Sequence, residues 1–285
     1  MKHAGPIVII TSAARGIGRA LVDIFAGTGD TVVAVDIPGS GVVELAGGLG
    51  YPHLGLECDV SRQEDILALY DRVDAQFTQI GVLINNAPVG RTMAAAVDTR
   101  VDAFRRGLAV NLNGAFVMAR EAARRMQSGG AIVNLASLAG VIGNPNCNAY
   151  AATRAGLISL TRSLAYEWAS RGIRVTAVAP GYVRTPMVAE LEGAGKLDLA
   201  AVRRSVPMGR MVRSDEIARA VRFLASTQAR YITGSVLLVD GGWMSFNQPG
   251  EAHPPQDGTP GAELARPAER TDARESCSSR AAGTV

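Results

Sequence analysis

The amino-acid sequence predicts an α/β fold in which a doubly wound parallel sheet forms a single domain. Short runs rich in β-branched residues alternate with amphipathic segments of helical length along residues 1–246. The runs are apolar through much of their length, as expected for strands that helices cover on both faces. In a sheet of this kind, ligands bind at the carboxyl ends of the strands.

The predicted elements follow one another along the chain without an internal repeat. Six runs have the length and composition of strands: Ile7–Ile10, Thr31–Val35, Val82–Ile84, Ala131–Leu135, Arg174–Val178 and Ser235–Val239. Five segments have helical length and an amphipathic pattern: Gly18–Thr28, Glu64–Gln79, Val101–Gln127, Tyr150–Ser170 and Ser214–Ser226. Because helical segments separate the strands, we expect neighbouring strands to run parallel.

The composition is that of a globular protein with a short extension. Of 285 residues, 47% are hydrophobic and 19% are charged. Residues 247–285 differ, because they contain several prolines and few apolar side chains. Such a segment cannot bury enough apolar surface to offset the entropy of ordering it. We therefore expect a disordered tail after the domain formed by residues 1–246.

Charge and cysteine usage exclude several classes of partner. The net charge is only +3, and the 29 basic residues, nearly all arginines, are interspersed with acids, unlike the basic face of a nucleic-acid-binding protein. The three cysteines fit no metal-ligand spacing, and no apolar stretch reaches the length of a membrane span. The sequence predicts a cytoplasmic protein that binds no metal, nucleic acid or membrane.

The first strand leads into a loop of small residues, Thr11–Gly18, that precedes a helix. Backbone N–H groups in such a loop can approach a pyrophosphate, and the helix N-terminus attracts negative charge. Asp36 ends the second strand, eighteen residues after Gly18. A carboxylate there can accept hydrogen bonds from an adenosine ribose, which favours NAD over NADP. Arg15 argues for the opposite preference, since its cation could meet a 2′-phosphate.

These features and later ones resemble the short-chain dehydrogenase/reductase family from about Ile7 to Trp243. The landmarks occur in the family's order: Thr11–Gly18, Asp59-Val60, Asn85-Asn86-Ala87, Asn111, Ser137, Tyr150, Pro180–Thr185 and Val239–Trp243. The resemblance implies a Rossmann-like fold, a homodimer or homotetramer, and an NAD(H)-dependent oxidoreductase that interconverts a secondary alcohol and a ketone. It implies catalytic roles for Asn111, Ser137, Tyr150 and Arg154. The implied cofactor-binding residues are Ser12, Arg15, Gly16, Ile17, Gly18, Asp36, Asp59, Val60, Asn86, Tyr150, Arg154, Pro180, Gly181, Val183 and Thr185.

The spacing of Tyr150 and Arg154 indicates a shared function. Residues four apart lie on one face of a helix, so the hydroxyl and the guanidinium can face one cleft. Tyrosine is a base at neutral pH only if its phenolate is stabilised by about 4 kcal/mol, which a poorly solvated cation could supply. Ser137 would donate to the substrate oxygen as negative charge develops there.

Three residues depart from the family pattern. Arg154 replaces the family's lysine; it keeps the charge but cannot release a proton. Ser12 replaces a glycine in the first loop, and Pro88 replaces the glycine after Asn-Asn-Ala and removes a backbone donor. Two alternatives therefore stay open: a cofactor-independent lyase similar to the halohydrin dehalogenases, using Ser137, Tyr150 and Arg154, and a dinucleotide-binding protein without catalysis.

The substrate side of the cleft is the least specified part of the sequence. The glycine- and glutamate-containing segment Val188–Arg204 is expected to form a lid. Asn144-Pro145-Asn146 and Tyr182 are expected to line the pocket beneath it, which suggests a small, partly polar substrate.

Overall fold

Parallel strands form a seven-stranded sheet in the computed structural model, which describes residues 3–90, 94–127, 129–185 and 198–245 and the single residues 188, 193, 195 and 252. The strands are β1 (His3–Thr11), β2 (Thr31–Asp36), β3 (Leu54–Glu57), β4 (Phe77–Asn85), β5 (Gly130–Leu135), β6 (Ile173–Pro180) and β7 (Val236–Val239). Their order is β3-β2-β1-β4-β5-β6-β7, and all neighbours are parallel. The predicted doubly wound, Rossmann-like sheet is confirmed.

Helices connect the strands. They are α1 (Gly16–Gly27), α2 (Val42–Leu49), α3 (Gln63–Gln76), α4 (Val101–Leu108), α5 (Ala115–Arg125), α6 (Asn148–Trp168), α7 (Leu199–Ser205) and α8 (Ser214–Ala225). A π-helical segment, Ala109–Gly114, joins α4 to α5. The long predicted helix over Val101–Gln127 is therefore interrupted in its middle, at the turn that carries Asn111.

Two of the elements lack a clear sequence signal. Strand β3 has only four residues, one of them a glycine, and α2 contains Gly47 and Gly48. Glycine is a poor helix former, and a run as short as β3 shows no reliable period. Tertiary packing against β2 defines both elements, because β3 pairs with β2 from Val33 to Asp36 and Val42 and Ala46 of α2 are buried.

The uninterrupted apolar pattern of β1 reflects a core on each face of the sheet. Ile7 and Ile9 belong to one buried cluster, which includes side chains of α3, α5 and α6. Val8 and Ile10 belong to the other, which includes side chains of α1 and α8. Since successive residues of a strand point to opposite faces, both sets must be apolar when both faces are covered.

The predicted tail, residues 247–285, lies outside the described residues apart from Ala252, so its disorder stays a prediction. In the ranges that the structure describes, no helix has the length and apolarity needed to cross a membrane. Within the same ranges, no three potential metal-ligating side chains of His, Cys, Asp or Glu come together.

The turn between β1 and α1 contains a strained residue. Ser12 has φ 52°, the left-handed region that favours glycine. Four residues later, Gly16 has φ 57°. Gly18 lies against the Ser12 carbonyl so closely that a Cβ on Gly18 would overlap it. The turn thus keeps its tight geometry although a serine occupies its first position.

Replacing Ser12 with glycine should stabilise the protein. A left-handed conformation costs an L-residue about 1–2 kcal/mol, of which the greater entropy of unfolded glycine offsets about 0.5–1 kcal/mol. We expect Ser12→Gly to raise the unfolding free energy by about 0.5–1 kcal/mol in urea denaturation, whereas Ser12→Ala, which keeps the strain, gives no gain. Equal stability of the two variants would show that Ser12 carries no strain.

Candidate active site

A cleft of about 460 Å³ crosses the carboxyl ends of the strands. It has the size and position of a ligand site in a doubly wound sheet. The sequence-predicted residues that line it are Ser12, Arg15, Gly16, Ile17, Asp36, Asp59, Val60, Asn86, Ser137, Tyr150, Arg154, Pro180, Gly181, Val183 and Thr185. Gly18 and Asn111 lie behind this wall; Gly18 serves close packing, and Asn111 organises the neighbouring backbone.

Asn86 and Thr11 hold the glycine-containing turn in place. The Asn86 amide nitrogen donates to the carbonyls of Thr11 (3.0 Å) and Ser12 (3.1 Å). The Thr11 hydroxyl accepts from the backbone nitrogens of Asn86 (2.9 Å) and Ala87 (3.1 Å). Both side chains are buried. These four hydrogen bonds join the end of β1 to the end of β4 and fix the backbone that faces the cleft.

Asp36 is oriented by two backbone donors at the end of β2. One carboxylate oxygen accepts from Ala14 N at 2.9 Å and the other from Ile37 N at 2.8 Å. Each carboxylate oxygen can accept two hydrogen bonds, so both retain a site for a further donor. Arg15, which is exposed, lines the same part of the cleft.

Asp59 and Cys58 form the wall next to Asp36. Burial opposes ionisation of Asp59, but hydrogen bonds from Ser61 and the charge of Arg106 outweigh it, so the pKa of Asp59 lies below its usual range. For Cys58, burial raises the thiol pKa to about 12, and the nearby carboxylates of Asp65 and Asp59 add to the effect. At neutral pH the cleft therefore presents a carboxylate and an un-ionised, unreactive thiol at this end.

Ser137 lies two residues beyond the end of β5. It precedes a 3₁₀ turn, Leu138–Gly140, and its hydroxyl oxygen accepts from Ala139 N at 3.2 Å. The side chain is buried but lines the cleft. Since a hydroxyl donates one hydrogen, this arrangement leaves the Ser137 hydrogen for a group in the cleft.

Tyr150 and Arg154 lie one turn apart on α6 and line the same cleft. The guanidinium carbon of Arg154 is 4.9 Å from the centroid of the Tyr150 ring. One terminal nitrogen of Arg154 donates to the Leu135 carbonyl at 2.8 Å. Arg154 is only 3% exposed, so its charge is poorly screened by solvent. The site thus holds a buried cation against the ring of Tyr150.

Asn111 lies in the π-helical segment, and residues of two other segments hold its side chain. Its side-chain oxygen accepts from Val89 N at 2.7 Å, and its amide nitrogen donates to the Thr153 hydroxyl at 3.2 Å. Val89 follows Pro88, which has no backbone N–H to donate. The side-chain amide of Asn111 thus anchors the loop directly after this proline. Asn111 acts on the shape of this loop and of the cleft that Val89 lines.

The amino-acid sequence of this chain is similar to those of known proteins. A family model described as enoyl-(acyl carrier protein) reductase matches residues 12–244. The chain is 66% identical over 270 residues to the uncharacterized short-chain type dehydrogenase/reductase y4vI of Sinorhizobium fredii. The aligned region covers 95% of this chain and 49% of that protein. The chain therefore spans about half the length of that relative.

Two further relatives match along nearly their whole length. A cis-4-hydroxycyclohexanecarboxylate dehydrogenase of Sinomonas cyclohexanicum is 38% identical over 83% of this chain and 96% of its own. A D-threitol dehydrogenase of Mycolicibacterium smegmatis is 37% identical over 84% of this chain and 93% of its own. The chain belongs to the short-chain dehydrogenase/reductase family. The family consists largely of oxidoreductases, which generally use NAD or NADP.

Several groups that shape the site were missed by sequence reasoning. The Thr11 hydroxyl, the Leu135 carbonyl and Gly140 contact residues far away in sequence, so no local pattern marks them. On the substrate side, Tyr182 lines the cleft as predicted, whereas Asn144-Pro145-Asn146 is not part of the wall. Much of the predicted lid, within residues 186–197, lies outside the described residues.

Gly140 sets the distance between the Ser137 turn and α6. A Cβ at Gly140 would lie 2.5 Å from the backbone carbon of Arg154. Gly140→Ala must push the turn away, and we expect it to lower the unfolding free energy by about 1–3 kcal/mol. Gly143→Ala in the same loop is the matched control, because a Cβ there meets nothing within 4 Å. Denaturation curves that coincide for the two variants would contradict this role of Gly140.

Proposed function

We propose that this protein interconverts a secondary alcohol and a ketone with NAD(H), using Tyr150 as the acid or base. The observation that carries the proposal is one continuous cleft, which extends from Asp36 at one end to Ser137, Tyr150 and Arg154 at the other. A carboxylate for a ribose and a Tyr–Ser pair for a carbonyl oxygen thus share one ligand site.

The residues present fit a dinucleotide. Asp36 has an acceptor site left on each oxygen, and the left-handed Gly16 faces open space, since a Cβ there would meet only the Thr185 methyl at 3.9 Å. Ser12 to Gly18 would hold the pyrophosphate at the start of α1. Pro180 to Thr185 would hold the nicotinamide end. When bound, the nicotinamide accepts or donates the hydride.

Tyr150 supplies the proton chemistry in this proposal. As a phenolate, Tyr150 takes the hydroxyl proton of the alcohol during oxidation, and as a neutral phenol it returns that proton to the ketone oxygen during reduction. Ser137 donates its free hydrogen to the same substrate oxygen and stabilises the charge that develops there. The buried Arg154, whose guanidinium carbon lies 4.9 Å from the centre of the Tyr150 ring, favours the phenolate through its positive charge.

Asp36 supports NAD over NADP. Its carboxylate, fixed by Ala14 N and Ile37 N, would accept from the ribose hydroxyls and repel a 2′-phosphate. Arg15 is exposed, so water screens its attraction for a phosphate. A carboxylate held in place outweighs an exposed cation at this end of the cleft.

The cofactor-independent lyase is the weaker alternative. Such an enzyme places a halide in the space where a dehydrogenase binds nicotinamide, and it does not need room for a dinucleotide. This chain leaves the loop around Gly16 open, as dinucleotide binding requires. The names of the D-threitol and cis-4-hydroxycyclohexanecarboxylate dehydrogenases both denote oxidation of alcohols that carry a secondary hydroxyl. These relatives support a small secondary alcohol as the substrate class.

Cofactor preference tests the Asp36 assignment. We expect calorimetric titration to give tighter binding of NADH than of NADPH. In Asp36→Ala, NADH should bind more weakly and NADPH should lose less or gain, because the carboxylate both accepts from the ribose and repels the phosphate. An unchanged ratio of the two dissociation constants would remove Asp36 from the cofactor site, and binding of neither dinucleotide would refute the proposed function.

Removal of the Tyr150 hydroxyl tests the acid/base role. Tyr150→Phe keeps the ring that packs on Arg154 and should lower kcat for alcohol oxidation by about 10²–10⁴-fold. NADH binding, measured in parallel, serves as the control for an intact cleft. A variant that binds NADH and turns over at the wild-type rate would refute the assignment.

A further inference from the structure

A second, much smaller cavity of about 10 Å³ lies behind the active site. Residues from the ends of β1 and β4, from the π-helical segment, from α5 and from α6 line it. Four of the lining residues carry polar side chains: Thr11, Asn85, Asn111 and Arg154. All four are buried. Buried polar groups are almost always hydrogen-bonded, so each of their donors and acceptors can be assigned a partner.

Two of these side chains have their donors engaged by protein groups. The Thr11 hydroxyl donates to the Ile84 carbonyl at 3.3 Å and accepts from two backbone nitrogens. The amide nitrogen of Asn111 donates to the Thr153 hydroxyl and the Val89 carbonyl, and its oxygen accepts from Val89 N. Neither side chain requires a further partner in the cavity.

Asn85 and Arg154 each retain one buried atom without a partner among the described residues. The amide nitrogen of Asn85 donates to the Ala115 carbonyl (3.1 Å) and to the side-chain oxygen of Asn134 (2.9 Å), which leaves the Asn85 oxygen unpaired. Asn134 in turn donates to the Thr161 hydroxyl, so the orientation of both amides is fixed. In Arg154, a terminal nitrogen donates to Leu135, and Nε is unpaired.

The two unpaired atoms are complementary, since Nε of Arg154 is a donor and Oδ1 of Asn85 is an acceptor. Their residues line a cavity whose volume suits a single water molecule. We propose that one water molecule binds there, accepts a hydrogen bond from Arg154 Nε and donates one to Asn85 Oδ1. The bound water completes a chain of hydrogen bonds from Thr161 through Asn134 and Asn85 to the guanidinium.

This water holds the guanidinium from a second side. Arg154 is then fixed by the Leu135 carbonyl at one end and by Asn85, through the water, at Nε. A lysine has no nitrogen at that point along its side chain, so the site is specific to the arginine of this chain. Asn85 is then a positioning residue that keeps the cation against the Tyr150 ring, a role that rests on the proposed function.

The direct test is a crystal structure of the full chain at a resolution that orders buried water. We expect one density peak within hydrogen-bond distance of Arg154 Nε and Asn85 Oδ1. A cavity without density, or a water bonded to other atoms and to neither of these two, overturns the proposal. This result does not depend on any activity, so it separates a failure of the water site from a failure of the proposed function.

A matched pair of variants tests the positioning role. Asn85→Leu and Asn134→Leu both break the hydrogen bond between the two amides, but only Asn85→Leu removes the water's acceptor. We expect the water to disappear only in Asn85→Leu, and kcat of that variant to fall about tenfold below that of Asn134→Leu. The alcohol oxidation rate should also reach half its plateau at a higher pH in Asn85→Leu, because a loosely held cation favours the phenolate less.

Equal rates and equal pH profiles in the two variants would overturn the positioning role of Asn85. If either variant does not fold, the density in the wild-type crystal decides on the water site alone.

Discussion

The contact on which the active site depends is made by the Arg154 guanidinium. It donates to the Leu135 carbonyl at the end of β5 and packs on the Tyr150 ring of α6, 4.9 Å from the ring centroid. Ser137 lies two residues after Leu135, so this one side chain relates the proposed donor to the proposed base. Because the guanidinium is buried, it supplies fixed positive charge where solvent screens little.

Close packing and hydrogen bonds within the protein hold both ends of the cleft in place. At the substrate end, Gly140 lets the Ser137 turn touch the backbone of Arg154. At the other end, Asn86 and Thr11 join β1 to β4, and Asp36 is held by Ala14 N. These contacts form within the protein alone. The cleft is therefore organised before any ligand enters, which reduces the cost of ordering it on binding.

The sequence was most informative where a pattern is local. The apolar run of β1, the small residues up to Gly18 and the four-residue spacing of Tyr150 and Arg154 each indicate a structure through their own neighbours. It was least informative where geometry comes from distant groups. The Asn111 side chain is held by Val89 and Thr153, which are distant in sequence. The partner of Arg154 is a main-chain carbonyl, which no residue type reveals.

The claim that Arg154 activates Tyr150 by its charge is tested most directly by turnover of two variants with a secondary alcohol. We expect Arg154→Lys, which keeps a cation, to retain kcat within about tenfold of the wild type, whereas Arg154→Ala should lose about a hundredfold or more. Calorimetric titration with NADH separates this loss from a loss of cofactor binding. Wild-type turnover in Arg154→Ala would show that the charge of Arg154 does not activate Tyr150.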